Sequence, residues 1–240
     1  MSFTFLEETV DDISGDTIFF PGAGSFGGEL RPIIRELEPM AWLVKYPGRF
    51  GKDFGTAAES FEEIVQSCTT QASCRASARS VLFGHSFGAY VAYATAAKLE
   101  ELGIEISALV VVGATAPMRL EVSEAVSSTP SGTAAYLDSV DPAMLADLPS
   151  DEWREVIIDT AMHDLRLLRQ FTTLRCRPVN CSILAVHGDS DPLTSDTGVG
   201  DWEHATHGEF SRHVFSGGHS DFLRSPAYAS WFRAVRADLG

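Results

Sequence analysis

The sequence predicts a doubly wound α/β domain: a mostly parallel sheet with helices on both faces and one helical insertion. Three observations carry that prediction. Apolar runs such as Ile106 to Gly113 (ISALVVVG) do not alternate with polar residues, as expected of strands buried on both faces of a parallel sheet. These runs alternate with segments of helical period, the pattern of right-handed β–α–β crossovers. The rhythm then stops between Ala114 and Val179, where no strand-like run occurs and a helical insertion is expected.

Taken in order, residues 1–15 are polar and acidic and are expected at the edge of the fold. Asp16 to Phe20 reads as a buried strand stopped by Pro21. A glycine-rich turn, Gly22 to Gly28, precedes a helix from Glu29 to Leu37. Met40 to Tyr46 is a second strand, closed by Pro47-Gly48. Thr56 to Cys68 has helical periodicity through Phe61, Ile64, Val65 and Cys68. Ser80 to Phe83 and the alanine-rich stretch Tyr90 to Glu101 form the next strand and helix, and Ile106 to Gly113 the fourth strand. Within the insertion, short helices are expected at Thr133 to Leu137 and Pro142 to Ala146, with a longer one from Asp151 to about Thr172. Strands resume at Ser182 to His187 and Arg212 to Phe215, and Phe222 to Leu239 closes the chain as a helix. The whole, 1–240, reads as a single domain with 115–178 as a lid inserted within it.

Composition narrows the function. The formal net charge of −15 argues against a nucleic-acid partner, which needs a basic surface, and against anionic membranes. Met1 to Asp12 carries four acidic residues and no basic one, so no signal peptide is expected. No apolar run approaches the roughly 18 residues of a membrane span. Cys68, Cys74, Cys176 and Cys181 lack C-x-x-C spacing. They read as free thiols of a cytoplasmic protein and not as a zinc site. No histidine has metal-ligand spacing with carboxylates, and no metal or bound cofactor is expected.

The chemistry centres on Gly84-His85-Ser86-Phe87-Gly88. A serine at a sharp strand-to-helix turn exposes its hydroxyl, and G-x-S-x-G spacing removes the Cβ atoms that would block so close an approach. The helix that follows aims backbone N–H groups at the site, which suits a developing oxyanion. A plain packing turn is the bland alternative. A serine hydroxyl is a weak nucleophile without a histidine base and an acceptor that orients it. On an α/β-hydrolase sheet the chain order is nucleophile, acid, histidine. Here Ser86 is followed by an aspartate after the strand ending at His187, then by His219 beyond the next strand. The acid is Asp189, Asp191 or Asp196; Asp191, pinned by Pro192, is favoured, and Asp189 is then a turn residue. The glycine-rich turn fits neither G-x-G-x-x-G nor a P-loop. It reads better as the loop donating a second oxyanion N–H, from Ala23, with Phe87 supplying the other. His85 is expected to be structural, His163 to lie on the insertion, His187 to be a core histidine, and His204, His207 and His213 to be solvated. Met118, Tyr136, Met144, Trp153, Met162 and Phe171 could line an acyl tunnel or simply pack the insertion.

With those residues placed, the chain resembles the type II thioesterases that accompany polyketide and non-ribosomal peptide synthetases. The resemblance runs nearly end to end. It is carried by Phe20-Pro21-Gly22-Ala23-Gly24-Ser25, Tyr46-Pro47-Gly48-Arg49, the serine turn, Leu165-Arg166 to Phe171, Gly188 to Leu193, Trp202 and Phe215 to His219. Two departures stand out. The family often has histidine or another large residue where Gly22 stands. Its aromatic residues after the histidine are here Ser220-Asp221, with Phe222 one step later. The resemblance implies hydrolysis of acyl groups from the phosphopantetheine thiol of acyl- or peptidyl-carrier proteins, in editing or chain release; oligomeric state is left open, with a monomer favoured. Carrier domains are commonly acidic, so docking would need a local basic surface: Lys45, Arg49 and Lys52, or Arg154, Arg166 and Arg169. The rival functions are a free-standing carboxylesterase or acyl-CoA thioesterase, and a non-catalytic hydrolase-fold binding protein.

Overall fold

A computed structural model of the chain describes residues 15–146, 148–173 and 176–239. The acidic segment expected at the edge lies almost wholly outside them. Six strands form one sheet: β1 (Thr17–Phe20), β2 (Ala41–Leu43), β3 (Val81–His85), β4 (Ala108–Val112), β5 (Ser182–Gly188) and β6 (Phe210–Phe215), in the order β2-β1-β3-β4-β5-β6. Every pair is parallel, so the sheet is parallel throughout and not merely for the most part. β1, β3 and β4 are buried at every position, the reason their sequences show no alternation.

Helices cover both faces. The chain runs through α1 (Arg31–Leu37), α2 (Phe61–Ser73), α3 (Phe87–Glu101), then α4 (Ala125–Ser128), α5 (Pro130–Val140), α6 (Ala143–Ala146) and α7 (Asp151–Phe171) between β4 and β5, and finally α8 (Asp196–Gly200) and α9 (Pro226–Leu239). One apolar cluster joins α2, α3 and part of α7 to one face of the sheet. A second packs Phe19, Phe83, Phe222, Tyr228 and Phe232 on the other. A third, smaller cluster knits Leu137, Leu145, Ile157, Ile158 and Ala161 within the insertion. No described helix is long and apolar enough to cross a membrane. All four cysteines are free thiols.

Several boundaries differ from the sequence reading for local reasons. α2 starts at Phe61 and not at Thr56, because Ser60 caps it by accepting from Glu63 N. β2 is an edge strand and pairs over three residues only, ending at Leu43 rather than Tyr46. The C-terminal helix begins at Pro226: Asp221–Arg224 is a separate 3-10 turn, and Ser225, in extended conformation, separates the two. The expected Thr133 to Leu137 helix extends to Pro130–Val140, with Thr129 accepting from Gly132 N at its start. The four-residue α4 and five-residue α8 are too short to give a periodic signal.

Candidate active site

Ser86 follows the end of β3, and its φ of 54° and ψ of −120° make it the one non-glycine residue with positive φ among those described. Such a conformation costs about 1–3 kcal/mol and persists only where its surroundings impose it. Here they do. Ser86 N donates to Val112 O at 2.8 Å. A Cβ at Gly84 would lie 2.4 Å from Gly88 O, and one at Gly88 only 2.1 Å from Phe20 O. The two glycines therefore let α3 and the end of β1 close on the serine from either side. Among the described residues the Ser86 hydroxyl makes no hydrogen bond.

Asp191 and His219 meet beyond the ends of β5 and β6. His219 Nδ1 lies 3.0 Å from Asp191 Oδ2 and 3.1 Å from Oδ1. The Asp191 side chain is 0% exposed and that of His219 5%. Burial alone would raise the Asp191 carboxyl; the hydrogen bond and charge of His219, with the Leu193 N–H, outweigh it and hold the group below the usual carboxylate range. Of the other two aspartates, Asp189 is exposed and accepts from Gly217 N at 3.1 Å, tying the loop after β5 to the one after β6. Asp196 stands at the start of α8, 3.4 Å from His187 Nε2. Only Asp191 touches His219.

The Pro21–Ser25 loop is held almost atom by atom. Tyr46 Oη donates to Pro21 O at 3.0 Å. Gly22 N donates to Glu29 Oε1 at 3.0 Å, and Ser25 Oγ donates to Glu29 Oε2. Gly24 N donates to Asp164 Oδ2 of α7 at 2.8 Å. Arg49 donates to both Ser25 O and Asp164 Oδ2, with its guanidinium over the Tyr46 ring. A Cβ at Gly24 would come within 2.7 Å of Ala161 Cβ, so α7 lies directly on this loop. The N–H left without an acceptor among the described residues is that of Ala23. Phe87, first residue of α3, carries one of the helix-terminal N–H groups that have no intrahelical partner.

Ser86, His219 and the Ala23 loop face one cavity of about 530 Å³. Its apolar wall comes from the insertion, including Tyr136, Leu137 and Met144, and from Ile157, Leu165 and Leu168 of α7. Of the residues considered for an acyl tunnel, only Tyr136 and Met144 line it. Phe171 packs against Phe61 and Tyr90 in the core, whereas Met118 and Trp153 are exposed.

Two further expectations change. Arg49 is no surface cation: it is 4% exposed and paired with the equally buried Asp164. It cannot meet a carrier. Arg166 bonds Ser127 O and Arg169 lies 3.5 Å from Glu124, and both side chains remain exposed. His213 is half-buried and lies against the Trp231 ring, centroids 4.7 Å apart. His163 is on the insertion as expected, its Nε2 2.7 Å from Ala58 O. Among the described residues no cluster of His, Cys, Asp or Glu could hold a metal ion.

Sequence reasoning missed Glu29 and Asp164. Glu29 was read only as a helix start, and its carboxyl is held at about 2: burial raises it, and His85, the Ser25 hydroxyl and the Gly22 N–H more than compensate. Asp164 is 140 residues from the Gly24 N–H that it binds, and no local pattern announces that contact.

A parallel sheet whose third strand ends in a strained serine, with an aspartate–histidine contact beyond the fifth and sixth strands, defines an α/β-hydrolase fold. Within that class the chain belongs to the thioesterase domain family, which matches residues 17–235. It is similar to the probable cadicidin biosynthesis thioesterase of Streptomyces griseus, 26% identical over 211 residues that span 84% of this chain and 56% of that protein. It is also similar to part of the phenyloxazoline synthase MbtB of Mycobacterium tuberculosis, 28% identical over 96% of this chain but only 16% of the synthase. The match thus spans about half of the first relative and a small part of the second. Among solved structures, the type II thioesterase BorB from the borrelidin biosynthetic cluster superposes with a TM-score of 0.79, at 27% identity and 94% coverage of both chains.

Proposed function

We propose that the protein is a cytoplasmic serine thioesterase that hydrolyses acyl groups from the phosphopantetheine arm of carrier proteins, editing or releasing chains in a polyketide or non-ribosomal peptide pathway. The observation that carries this reading is the buried Asp191–His219 pair, whose histidine shares one apolar-walled cavity with the strained Ser86 and with Ala23, whose N–H has no acceptor among the described residues. The family membership and the likeness to biosynthetic thioesterases support the thioester as the bond cleaved.

The mechanism follows from the atoms. Asp191 holds the His219 proton on Nδ1, leaving Nε2 to accept the Ser86 proton as Oγ attacks the thioester carbonyl. That requires Oγ and Nε2 to come within about 2.6–3.2 Å, a bond that commonly tightens only when substrate binds. The carbonyl oxygen becomes an oxyanion and takes the N–H groups of Ala23 and Phe87. Each such donor is typically worth about 10²–10³ in rate. Collapse breaks the C–S bond, and His219 returns its proton to the departing thiol. Water then attacks the acyl-serine with His219 as base, regenerating Ser86 and releasing the acid. No step calls for a metal or bound cofactor.

The apolar wall favours hydrophobic acyl chains. A methylene moved from water onto that wall contributes about 0.8 kcal/mol, or roughly fourfold in kcat/KM, until the cavity is full. Intact-mass analysis of a panel of acylated carrier proteins, with acyl-pantetheine, acyl-CoA and p-nitrophenyl esters in parallel, tests the proposal. We expect acyl loss from the carriers, rising with chain length. A strong preference for the oxygen ester would instead mark a carboxylesterase. Equal turnover of acyl-CoA and acyl-carrier would mark an enzyme that ignores the carrier. No hydrolysis of any substrate would mark a binding protein.

A further inference from the structure

Glu29 has no part in the mechanism above, yet its carboxylate contacts the Ala23 loop on two flanks and the imidazole next to Ser86. Oε1 accepts from Gly22 N at 3.0 Å and Oε2 from Ser25 Oγ, so it grips the loop on both flanks of Ala23. Oε1 also lies 3.6 Å from His85 Nδ1, a buried ring nitrogen with no hydrogen-bond partner among the described residues. On its far side, His85 Nε2 lies 3.3 Å from the backbone oxygen of His219, and the two imidazole rings are 5.0 Å apart. A Cβ on Gly22 would sit 3.3 Å from His85 Nδ1, 3.6 Å from Ser86 Cβ and 3.7 Å from Glu29 Oε1. The carboxylate, the imidazole and the serine therefore all lie within 4 Å of one point beside Gly22.

We propose that Glu29 is a positioning residue for catalysis, its carboxylate fixing the direction of the Ala23 N–H and, through His85, the placement of the His219 loop. The proposal rests on the reading of Ser86 as nucleophile and does not depend on the identity of the acyl donor. A carboxylate is suited to the task. Ionised, it is an acceptor only, and it can take two loop donors while still facing a third group. Its charge survives to low pH, with the carboxyl at about 2. Among the described residues the Ala23 N–H has no acceptor of its own to fix it, so its direction is set by what holds Gly22 and Ser25. An error of about 1 Å in such a donor can cost roughly 10²-fold in rate.

The test compares Glu29→Ala, Glu29→Gln and His85→Phe. It reads kcat and KM on acyl-pantetheine and the rate of Ser86 labelling by a fluorophosphonate, with a thermal melt for each variant. Glu29→Ala should lower kcat and the labelling rate by about 10²-fold with KM within a factor of two. Glu29→Gln keeps an oxygen for Gly22 N and should recover most of that loss without a large change in melting temperature. Glu29→Ala and His85→Phe combined should lose less than the product of the two single losses, because they act through one chain of contacts. Unchanged kcat and labelling in Glu29→Ala would overturn the proposal. So would a raised KM at constant kcat, which would mean that Glu29 binds substrate, or a melting temperature in Glu29→Gln as low as in Glu29→Ala with activity equally lost. Labelling that falls as expected in a protein inert toward acyl-carriers would support Glu29 while overturning the carrier reading.

Discussion

Asp191→Asn is expected to lower kcat by about 10⁴-fold while the protein stays folded. The argument is one of tautomers. Leu193 N donates to Asp191 Oδ1 at 2.9 Å, so an asparagine keeps its carbonyl oxygen there and turns its NH2 toward His219 Nδ1. An NH2 at that place, 3.0 Å away, obliges Nδ1 to accept and moves the ring proton to Nε2. In the proposed mechanism, the nitrogen that takes the Ser86 proton would then already carry one. Asp189→Asn is the matched control, since Asp189 is exposed and bonds the neighbouring loop instead; it should retain activity within a few-fold. Thiol release at saturating substrate measures both. A loss below tenfold for Asp191→Asn would remove it from the mechanism. The same carboxylate links stability to pH. Its folded pKa is depressed, so its contribution is complete above the unfolded value of about 3.9 and disappears as pH falls through the lower, folded value. Acid melts of the wild type should therefore steepen below about pH 4, and Asp191→Asn should flatten that part of the curve.

Asp164→Ala is expected to be the most destabilising single change, by about 3–5 kcal/mol. It strands the Arg49 guanidinium, 4% exposed, without its counter-charge, and it also removes the acceptor of Gly24 N. For a chain of this size each kcal/mol shifts Tm by roughly 2–4 °C, so a fall on the order of 10 °C is expected. Asp164→Asn keeps an acceptor for Gly24 and should lose less. Arg49→Met combined with Asp164→Leu should recover much of the loss, because replacing both members of a buried pair by apolar groups is far milder than orphaning one. Losses that simply add in the double variant would show that the two groups do not depend on each other. Below its melting range Asp164→Ala should also lose kcat by tenfold or more, since the loop that carries the Ala23 N–H then loses its anchor to α7 at Gly24.

What the sequence showed and what it hid divide along contact range. β3 and β4 were legible because strands buried on both faces must be apolar throughout. Ser86 was legible because a sharp turn needs glycines at fixed offsets. Asp191 could be favoured over Asp189 because Pro192 pins its loop, and in the structure it is the aspartate that touches His219. Those signals are local. Arg49 was misread as a surface cation because charge normally means solvent, and its partner lies 115 residues away. Glu29 looked like an ordinary first-turn acid. Trp153 and Met118 looked like tunnel residues because their type suits one, but helical position, not type, decides which side chain faces the cavity. The break before α9 was announced by Pro226 and overlooked in an otherwise continuous helical pattern.

The Asp164–Gly24 bond bears on how this protein can be re-engineered. Residues 115–178 look like a cassette that could be exchanged between relatives to alter acyl preference. Yet α7 carries the acceptor for the Pro21–Ser25 loop, and its Ala161 lies where a Cβ on Gly24 would have to go. A transplant that brings a new cavity wall without an aspartate matched to Arg49 would import specificity and loosen the Pro21–Ser25 loop in one step. The exchangeable unit is therefore the shorter run from α4 to α6, with α7 left behind as part of the recipient.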